Sequence, residues 1–269
     1  MAALCRIIAE EKVTFSCGVP TIWIILHNYL EQGGAYDFSS VGNFFSGGSA
    51  LPRYLIESFE KKYGVILSQG YGATETSPVV TLSIPKSYMQ TLSVDEKIDI
   101  RTTAGMPVPL LDVKLISLET GKEARMDGRD MGEILVRGPW IAGEYYKNPQ
   151  QSAITFKDGW FHTGDIGIMN PEGYITLVDR TKDLIKSAGE WISSIDLENA
   201  IMEFSGVLEA AVISMPDAKW QERPLACVVL RPESANTVTK EDIQAYLQDK
   251  VAKWWIPDEI VFLQELPKT

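Results

Sequence analysis

Three short clusters hold the residues whose types and spacing could do chemistry. In Gln69-Gly70-Tyr71-Gly72-Ala73-Thr74-Glu75-Thr76 an aromatic ring sits between two glycines, and a hydroxyl and a carboxylate follow within a turn. Two glycines let the backbone turn tightly and present the ring outward, while Thr74 and Glu75 offer oxygens suited to phosphate and to a hard cation. That combination suits a nucleotide, although a polar strand-end turn with a packing tyrosine would use the same residues. Thr163-Gly164-Asp165 lies behind Gly159-Trp160-Phe161-His162. A carboxylate held at a strand end can accept both hydroxyls of a ribose, or it can close a turn. The third cluster runs Asp179-Arg180-Thr181-Lys182-Asp183-Leu184-Ile185-Lys186-Ser187-Ala188-Gly189-Glu190-Trp191. Its cations beside Ser-Ala-Gly read equally as an anion site and as a solvated linker.

The elements that must position these clusters follow from periodicity. Up to about Val80, apolar runs at Val13–Phe15 and Val65–Leu67 alternate with helical patterns. Leu51, Leu55, Phe59 and Tyr63, at steps of four behind Ser49 and Pro52, predict an amphipathic helix. From Met106 to Asp179 short strand-like runs at Val113–Ile116, Glu133–Val136 and Tyr174–Val178 alternate with turn clusters, predicting a small antiparallel β unit. After Arg180 come a glycine-bearing loop and a helix with Leu197, Ile201 and Phe204 on one face. Strands at Leu208–Ser214 and Ala226–Leu230 follow, and then a helix opened by Thr239 with Asp242 three residues on. Residues 180–269 therefore read as a compact α+β domain.

At 269 residues the chain is long enough for roughly two domains, and 45% hydrophobic residues exclude intrinsic disorder. Twenty-five Lys and Arg against 36 Asp and Glu give a formal charge of −11, which disfavours nucleic acid and anionic membranes as partners. Cys5, Cys17 and Cys227 have no metal-type spacing and are odd in number, so a reducing, cytoplasmic setting is expected. The longest apolar stretch, around Ile22–Leu26, is far short of the roughly 20 residues of a transmembrane helix.

In this order and at these separations the three clusters, with a closing Pro267-Lys268-Thr269, resemble the adenylate-forming superfamily of acyl-CoA synthetases, luciferases and peptide-synthetase adenylation domains. The resemblance runs from Gly18-Val19-Pro20-Thr21 to the last residue. Gly189-Glu190-Trp191-Ile192-Ser193-Ser194 and Lys219-Trp220-Gln221-Glu222-Arg223-Pro224 look like the fatty-acyl-CoA synthetase branch. The fold so implied is α/β and α+β: the C-terminal part of the family's large domain, residues 1–179, followed by a small mobile α+β C-terminal domain, residues 180–269. The large-domain part would comprise a partial α/β subdomain to about 105 and a small β-barrel over about 106–179.

The implied activity is ligation of a medium- or long-chain fatty acid to CoA, driven by ATP with Mg²⁺, through an acyl-adenylate. By the same resemblance Tyr71 lies against adenine with Gly70 and Gly72 close to the ligand, Thr74 binds phosphate oxygen and Glu75 holds Mg²⁺. Asp165 and Arg180 clamp the ribose, Lys186 supports the phosphates and Trp191 stacks near the nucleotide. Lys182 is the hinge and Gly189 lines the pantetheine tunnel. Trp23 matches an acyl-tunnel gate and Gly47, Gly48 and Ser49 its small-residue wall, though Trp23 could equally be core.

The family also carries a Ser/Thr/Gly-rich loop ending in Pro-Lys-Gly and, after the position of Pro267-Lys268-Thr269, a Gly-Lys with a catalytic lysine; neither occurs in residues 1–269. The expectation is an incomplete, adenylation-deficient piece of a synthetase. The alternatives are a nucleotide- or acyl-adenylate-binding half working with a complementing N-terminal half or as a homodimer, a decayed non-catalytic protein, and a ligase for a short thio- or aryl-acid.

Overall fold

The computed structural model describes residues 1–235 and 237–267. Lys268 and Thr269 of the closing motif lie outside the described residues. Contacts divide the chain into two compact units, Met1–Thr163 with Gly167–Leu177, and Gly164–Ile166 with Val178–Thr269.

The first unit opens with α1 (Ala2–Glu10), β1 (Phe15–Gly18), α2 (Pro20–Glu31), β2 (Asn43–Ser46), α3 (Arg53–Tyr63) and β3 (Leu67–Tyr71). β4 (Thr81–Leu82), α4 (Val94–Thr102) and β5 (Met106–Pro107) complete a five-stranded sheet in the order β1-β2-β3-β4-β5. β1, β2 and β3 are parallel, which requires the helical crossovers α2 and α3 between them. On one sheet face Ser16, Phe44 and Leu67 share a row, and Gly18, Ser46 and Gln69 share the next. The core against this sheet gathers Cys5, Ile8, Trp23, Leu26, Phe44, Leu55, Phe59 and Ile98. Leu55 and Phe59, one turn apart on α3, are both fully buried, as the four-residue step requires.

A second sheet follows with β6 (Asp112–Ser117), β7 (Gly132–Arg137), α5 (Pro149–Thr155), β8 (Phe156–Lys157), β9 (Trp160–Met169) and β10 (Ile175–Arg180). Its order is β10-β9-β7-β6 with β8 paired to β9, over a core that includes Leu115, Ile134, Val136, Phe161 and Ile175.

The second unit adds β11 (Ile185–Ser187), β12 (Glu190–Ile192), α6 (Ser194–Met202), β13 (Val207–Asp217), β14 (Gln221–Leu230), α7 (Lys240–Leu247) and β15 (Glu259–Leu263), with sheet order β12-β11-β14-β13 and β15 beside β14. Ile185, Ile192, Leu197, Ile201, Val212, Val228, Ile243 and Leu247 pack between this sheet and the two helices. The capping box read from Thr239 and Asp242 is present: the Thr239 hydroxyl accepts from the Asp242 amide at 3.2 Å and the Asp242 carboxylate accepts from the Thr239 amide at 2.9 Å. Among the described residues no helix is long and apolar enough to cross a membrane.

Two local expectations change. β1 and β3 start two residues later than the apolar runs at Val13 and Val65 suggest, because the parallel register opens at Phe15–Asn43 and Phe44–Leu67. Gly70 and Tyr71 therefore end a strand instead of following it. The stretch read as a glycine-bearing loop after Arg180 is in part a hairpin, with Lys186 opposite Trp191 and Ser187 opposite Glu190. Its two turn residues, Ala188 (φ 53°) and Gly189 (φ 88°), both lie in the left-handed region that a two-residue type I′ turn demands.

Candidate functional site

In the first unit the Gly-Tyr-Gly cluster is built on the pairing of β3 with β4, Gly70 opposite Leu82 and Tyr71 opposite Thr81. The glycines answer to that packing and not to an unusual φ. A Cβ on Gly70 would lie 2.4 Å from the Phe45 ring and 2.8 Å from the Thr81 carbonyl oxygen. One on Gly72 would lie 1.7 Å from the Pro78 carbonyl oxygen. Gln69, almost fully buried, anchors the strand end: its carboxamide accepts from the Leu51 amide at 2.9 Å and donates to the carbonyls of Thr102 and Thr103.

Thr74 and Glu75 open a 3-10 turn, Thr74–Thr76, held from below by the buried Thr76 hydroxyl, which accepts from the Ala73 amide at 2.8 Å. Glu75 is oriented by Tyr145, whose phenol donates to Oε1 at 2.6 Å, and its carbonyl accepts from the Ala142 amide at 2.8 Å. Burial first, and then the Glu75 carboxylate, push the Tyr145 phenol up. Tyr145 belongs to Gly143-Glu144-Tyr145-Tyr146, a stretch without a sequence signature, and only the fold reveals its role.

Among the described residues no three His, Cys, Asp or Glu side chains gather as a metal cage. A single oriented carboxylate does fit Mg²⁺, which normally takes its other ligands from phosphate and water.

Trp23 is 1% exposed and stacks on Phe44 with ring centroids 4.7 Å apart, so its surroundings in this structure are core. Its indole Nε1 and the Ser46 hydroxyl are buried with no hydrogen-bond partner among the described residues. Gly47, Gly48 and Ser49 follow β2 directly, with Gly48 and Ser49 exposed.

In the second unit Asp165 and Arg180, fifteen positions apart, come together: Nε of Arg180 lies 3.4 Å from Oδ1 of Asp165. Thr181 ties the two segments through its amide and hydroxyl, which donate to the Gly164 carbonyl at 2.8 and 2.9 Å. The Asp165 side chain is 18% exposed and the Arg180 side chain 73% exposed, so the pair offers a half-buried carboxylate and a solvent-facing cation. Asp179 beside them turns inward, accepting from the Ser194 amide at 2.5 Å and the Arg180 amide at 2.7 Å, and burial raises its carboxyl above the usual range.

Lys182 is exposed in the turn closed by the Leu184 amide on the Arg180 carbonyl. Across the hairpin the Lys186 ammonium sits 4.9 Å from the centroid of the Trp191 ring, a cation–π pair. Among the described residues no atom lies within 4 Å of a Cβ built on Gly189, and its left-handed φ accounts for a glycine there.

The first unit thus assembles Gly70, Tyr71, Gly72, Thr74 and Glu75, with Trp23, Gly47, Gly48 and Ser49 beside the same sheet. The second assembles Asp165 with Arg180, and Lys186 with Trp191 near Gly189.

A sequence model described as AMP-binding enzyme matches residues 1–146, and one described as AMP-binding enzyme C-terminal domain matches residues 196–269. A long-chain-fatty-acid–CoA ligase of Thermus thermophilus is 47% identical over all of this chain and 49% of its own length. A medium-chain-fatty-acid–CoA ligase of Ectopseudomonas oleovorans is 38% identical over 99% of this chain and 48% of its own. A peroxisomal benzoate–CoA ligase of Arabidopsis thaliana is 34% identical over 97% of this chain and 46% of its own. The chain spans about half the length of the curated relatives it matches. Among solved structures, the o-succinylbenzoate CoA synthetase of Bacillus subtilis, in complex with its acyl-adenylate, superposes with a TM-score of 0.84 at 28% identity, covering 99% of this chain and 51% of that one.

Proposed function

Because the chain belongs to the AMP-binding enzyme family, with the mixed α/β fold of the adenylate-forming enzymes, we propose that it carries the nucleotide-binding and C-terminal parts of an ATP-dependent acid–CoA ligase acting on a medium- or long-chain fatty acid. The observation that carries this reading is the Glu75 carboxylate, oriented by Tyr145 one turn after a glycine-flanked aromatic ring at a strand end. The likeness to long- and medium-chain ligases supports the fatty acid; the benzoate-ligase relative keeps an aryl acid as the alternative.

Two displacements convert the acid. A carboxylate oxygen attacks the α-phosphorus of ATP and pyrophosphate leaves; the CoA sulfur then attacks the acyl carbon and AMP leaves. In this reading Tyr71 lies against adenine beside the backbone of Gly70 and Gly72, and the Thr74 hydroxyl donates to a phosphate oxygen. Glu75 would hold Mg²⁺, which when bound neutralises phosphate charge. Asp165 accepts from the ribose hydroxyls with Arg180 as its cationic neighbour, Lys186 opposes the phosphates and Trp191 packs near the nucleotide. Lys182 is the hinge at the junction of residues 1–179 and 180–269, Gly189 borders the pantetheine, and Trp23, Gly47, Gly48 and Ser49 border the alkyl chain. Most of the catalysis is positioning.

Residues 1–269 contain no Ser/Thr/Gly-rich loop ending in Pro-Lys-Gly. Assayed by themselves they are proposed to bind acyl-adenylate and pass its acyl group to CoA without forming it, the first step needing a complementing segment that carries such a loop. Titration with a non-hydrolysable fatty acyl-adenylate analogue should show one-site binding that Tyr71→Ala and Asp165→Ala each weaken about tenfold or more, roughly 1.4 kcal/mol. Folded protein that shows no saturable binding overturns the reading. Acid-dependent pyrophosphate exchange at ordinary enzyme rates, about 1–10³ s⁻¹, would overturn the assigned lack of the first step.

A further inference from the structure

Arg223 has no role in the chemistry above, yet it is among the most completely satisfied side chains of the second unit. It is 7% exposed on β14, and its five N–H groups make five hydrogen bonds. Nε donates to Oδ2 of Asp258 at 2.6 Å and Nη2 to Oδ1 of the same carboxylate at 3.1 Å. Nη2 also donates to the Ile256 carbonyl at 3.0 Å. Nη1 donates to the Trp254 carbonyl at 2.5 Å and to the Ser187 hydroxyl at 3.3 Å.

Ser187 is the last residue of β11 and precedes the turn residues Ala188 and Gly189. The same end of β14 holds that turn from its other side. The carbonyl of Trp220, just before β14, accepts from the Ala188 amide at 2.9 Å, the Glu222 carboxylate accepts from the Lys186 amide at 2.8 Å, and Ser187 pairs with Gln221.

We propose that Arg223 is a positioning residue for the thioester-forming step: it locks the Ser187–Glu190 turn, and with it Gly189, against residues 254–258. This role rests on the reading above that Gly189 borders the path of CoA. A two-residue turn has no core of its own, and an exposed one such as Ala188-Gly189 keeps its place only through the strand beneath it. A planar fork with five donors can engage a carboxylate, two carbonyls and a hydroxyl at once. A lysine at 223 would keep the charge but offer three donors from one point, so at least two of these bonds would go.

The test pairs exchange with turnover on the whole chain. Arg223→Lys should speed hydrogen exchange at the Ala188 amide while the amides of Ile243 and Leu247, in the middle and at the end of α7, keep their protection. With fatty acyl-adenylate and CoA supplied, kcat for acyl transfer should fall about 10- to 100-fold with KM for the adenylate unchanged, the scale of a misplaced reacting group. Ser187→Ala, which removes one link only, should move both readouts the same way by less, and it carries the test if Arg223→Lys does not fold. Unchanged exchange at Ala188, or acyl transfer within about twofold of the starting protein, overturns the proposal.

Gly189→Asn separates the two readings, since asparagine tolerates a left-handed φ yet fills the space. If it leaves acyl transfer intact, the CoA path is misassigned and the catalytic role of Arg223 falls with it. If it abolishes transfer while Arg223→Lys does not, the path stands and the positioning role alone is refuted.

Discussion

Replacing Gly72 by alanine sets a methyl group against backbone on the far side of the turn. The added Cβ would sit 1.7 Å from the Pro78 carbonyl oxygen, 2.8 Å from its carbon and 3.0 Å from Oγ1 of Thr76. Ordinary carbon contacts lie at roughly 3.5–4.0 Å, so the chain must open by more than about 1 Å, and no rotamer change can relieve a clash with a carbonyl. Opening strains the bonds that close the turn: the Val80 amide to the Tyr71 carbonyl at 2.8 Å, and the Thr76 hydroxyl to the Pro78 carbonyl at 2.8 Å. Overpacking costs about 1–3 kcal/mol and two such bonds about 0.5–1.5 kcal/mol each, which puts the total at about 2–6 kcal/mol. Urea unfolding followed by far-ultraviolet circular dichroism should show a midpoint lowered by about 1 M or more. Gly143→Ala is the control, with no atom of the described residues within 4 Å of its Cβ position and no positive φ, and should stay within about 0.5 kcal/mol. Equal midpoints for the two variants would refute the idea that strand packing, independent of any ligand, demands glycine at 72.

Tyr145→Phe removes the phenol that orients Glu75. It should raise the Mg²⁺ concentration needed for half-maximal nucleotide binding about three- to tenfold, about 0.7–1.4 kcal/mol; a Mg²⁺ titration reads it, and an unchanged half-maximal concentration would refute the orienting role. Asp179 has a carboxyl raised by burial, so it holds its proton more tightly folded than unfolded, and its contribution to stability declines as pH climbs from the ordinary aspartate value through the raised one. Asp179→Asn should flatten that decline in urea midpoints measured across the acid range, leaving the slope that the likewise raised Asp196 and Glu198 supply; a slope steeper than that of the parent protein contradicts the assignment. Thr239→Ala, which dismantles the capping box of α7, should cost about 1 kcal/mol by chemical denaturation, and a neutral result would mean that the helix start is held by packing alone.

What could be read from sequence follows how local the cause is. The start of α7 was legible because Thr239 and Asp242 satisfy each other within one turn, and α3 because its buried stripe repeats every four residues. Likewise, the clusters at 70–75 and 163–165 could be proposed as sites because their candidate residues are adjacent in sequence. The hairpin at 185–192 was hidden because Ala188, no usual turn residue, takes a left-handed φ, and because the partner that steadies it, β14, lies over thirty residues away. Tyr145 was invisible for a similar reason, seventy residues separating it from Glu75. The need for glycine at 70 and 72 was legible but its cause was not, since Phe45 and Thr81 on the neighbouring strands impose it at 70 and Pro78 on the far side of the turn imposes it at 72.

The burial of Trp23 also gives the first core a built-in optical marker. Of the seven tryptophans it alone is fully enclosed; Trp140, Trp160, Trp191 and Trp255 are partly open to solvent, and Trp220 and Trp254 are exposed. An indole stacked on phenylalanine and shut away from the surface should emit at short wavelength and resist collisional quenchers, while the six more open tryptophans should be quenched more readily by acrylamide. The blue, quencher-resistant fraction of the emission therefore belongs to the packing of α2 on β2, and its loss would time the opening of that layer without any added label.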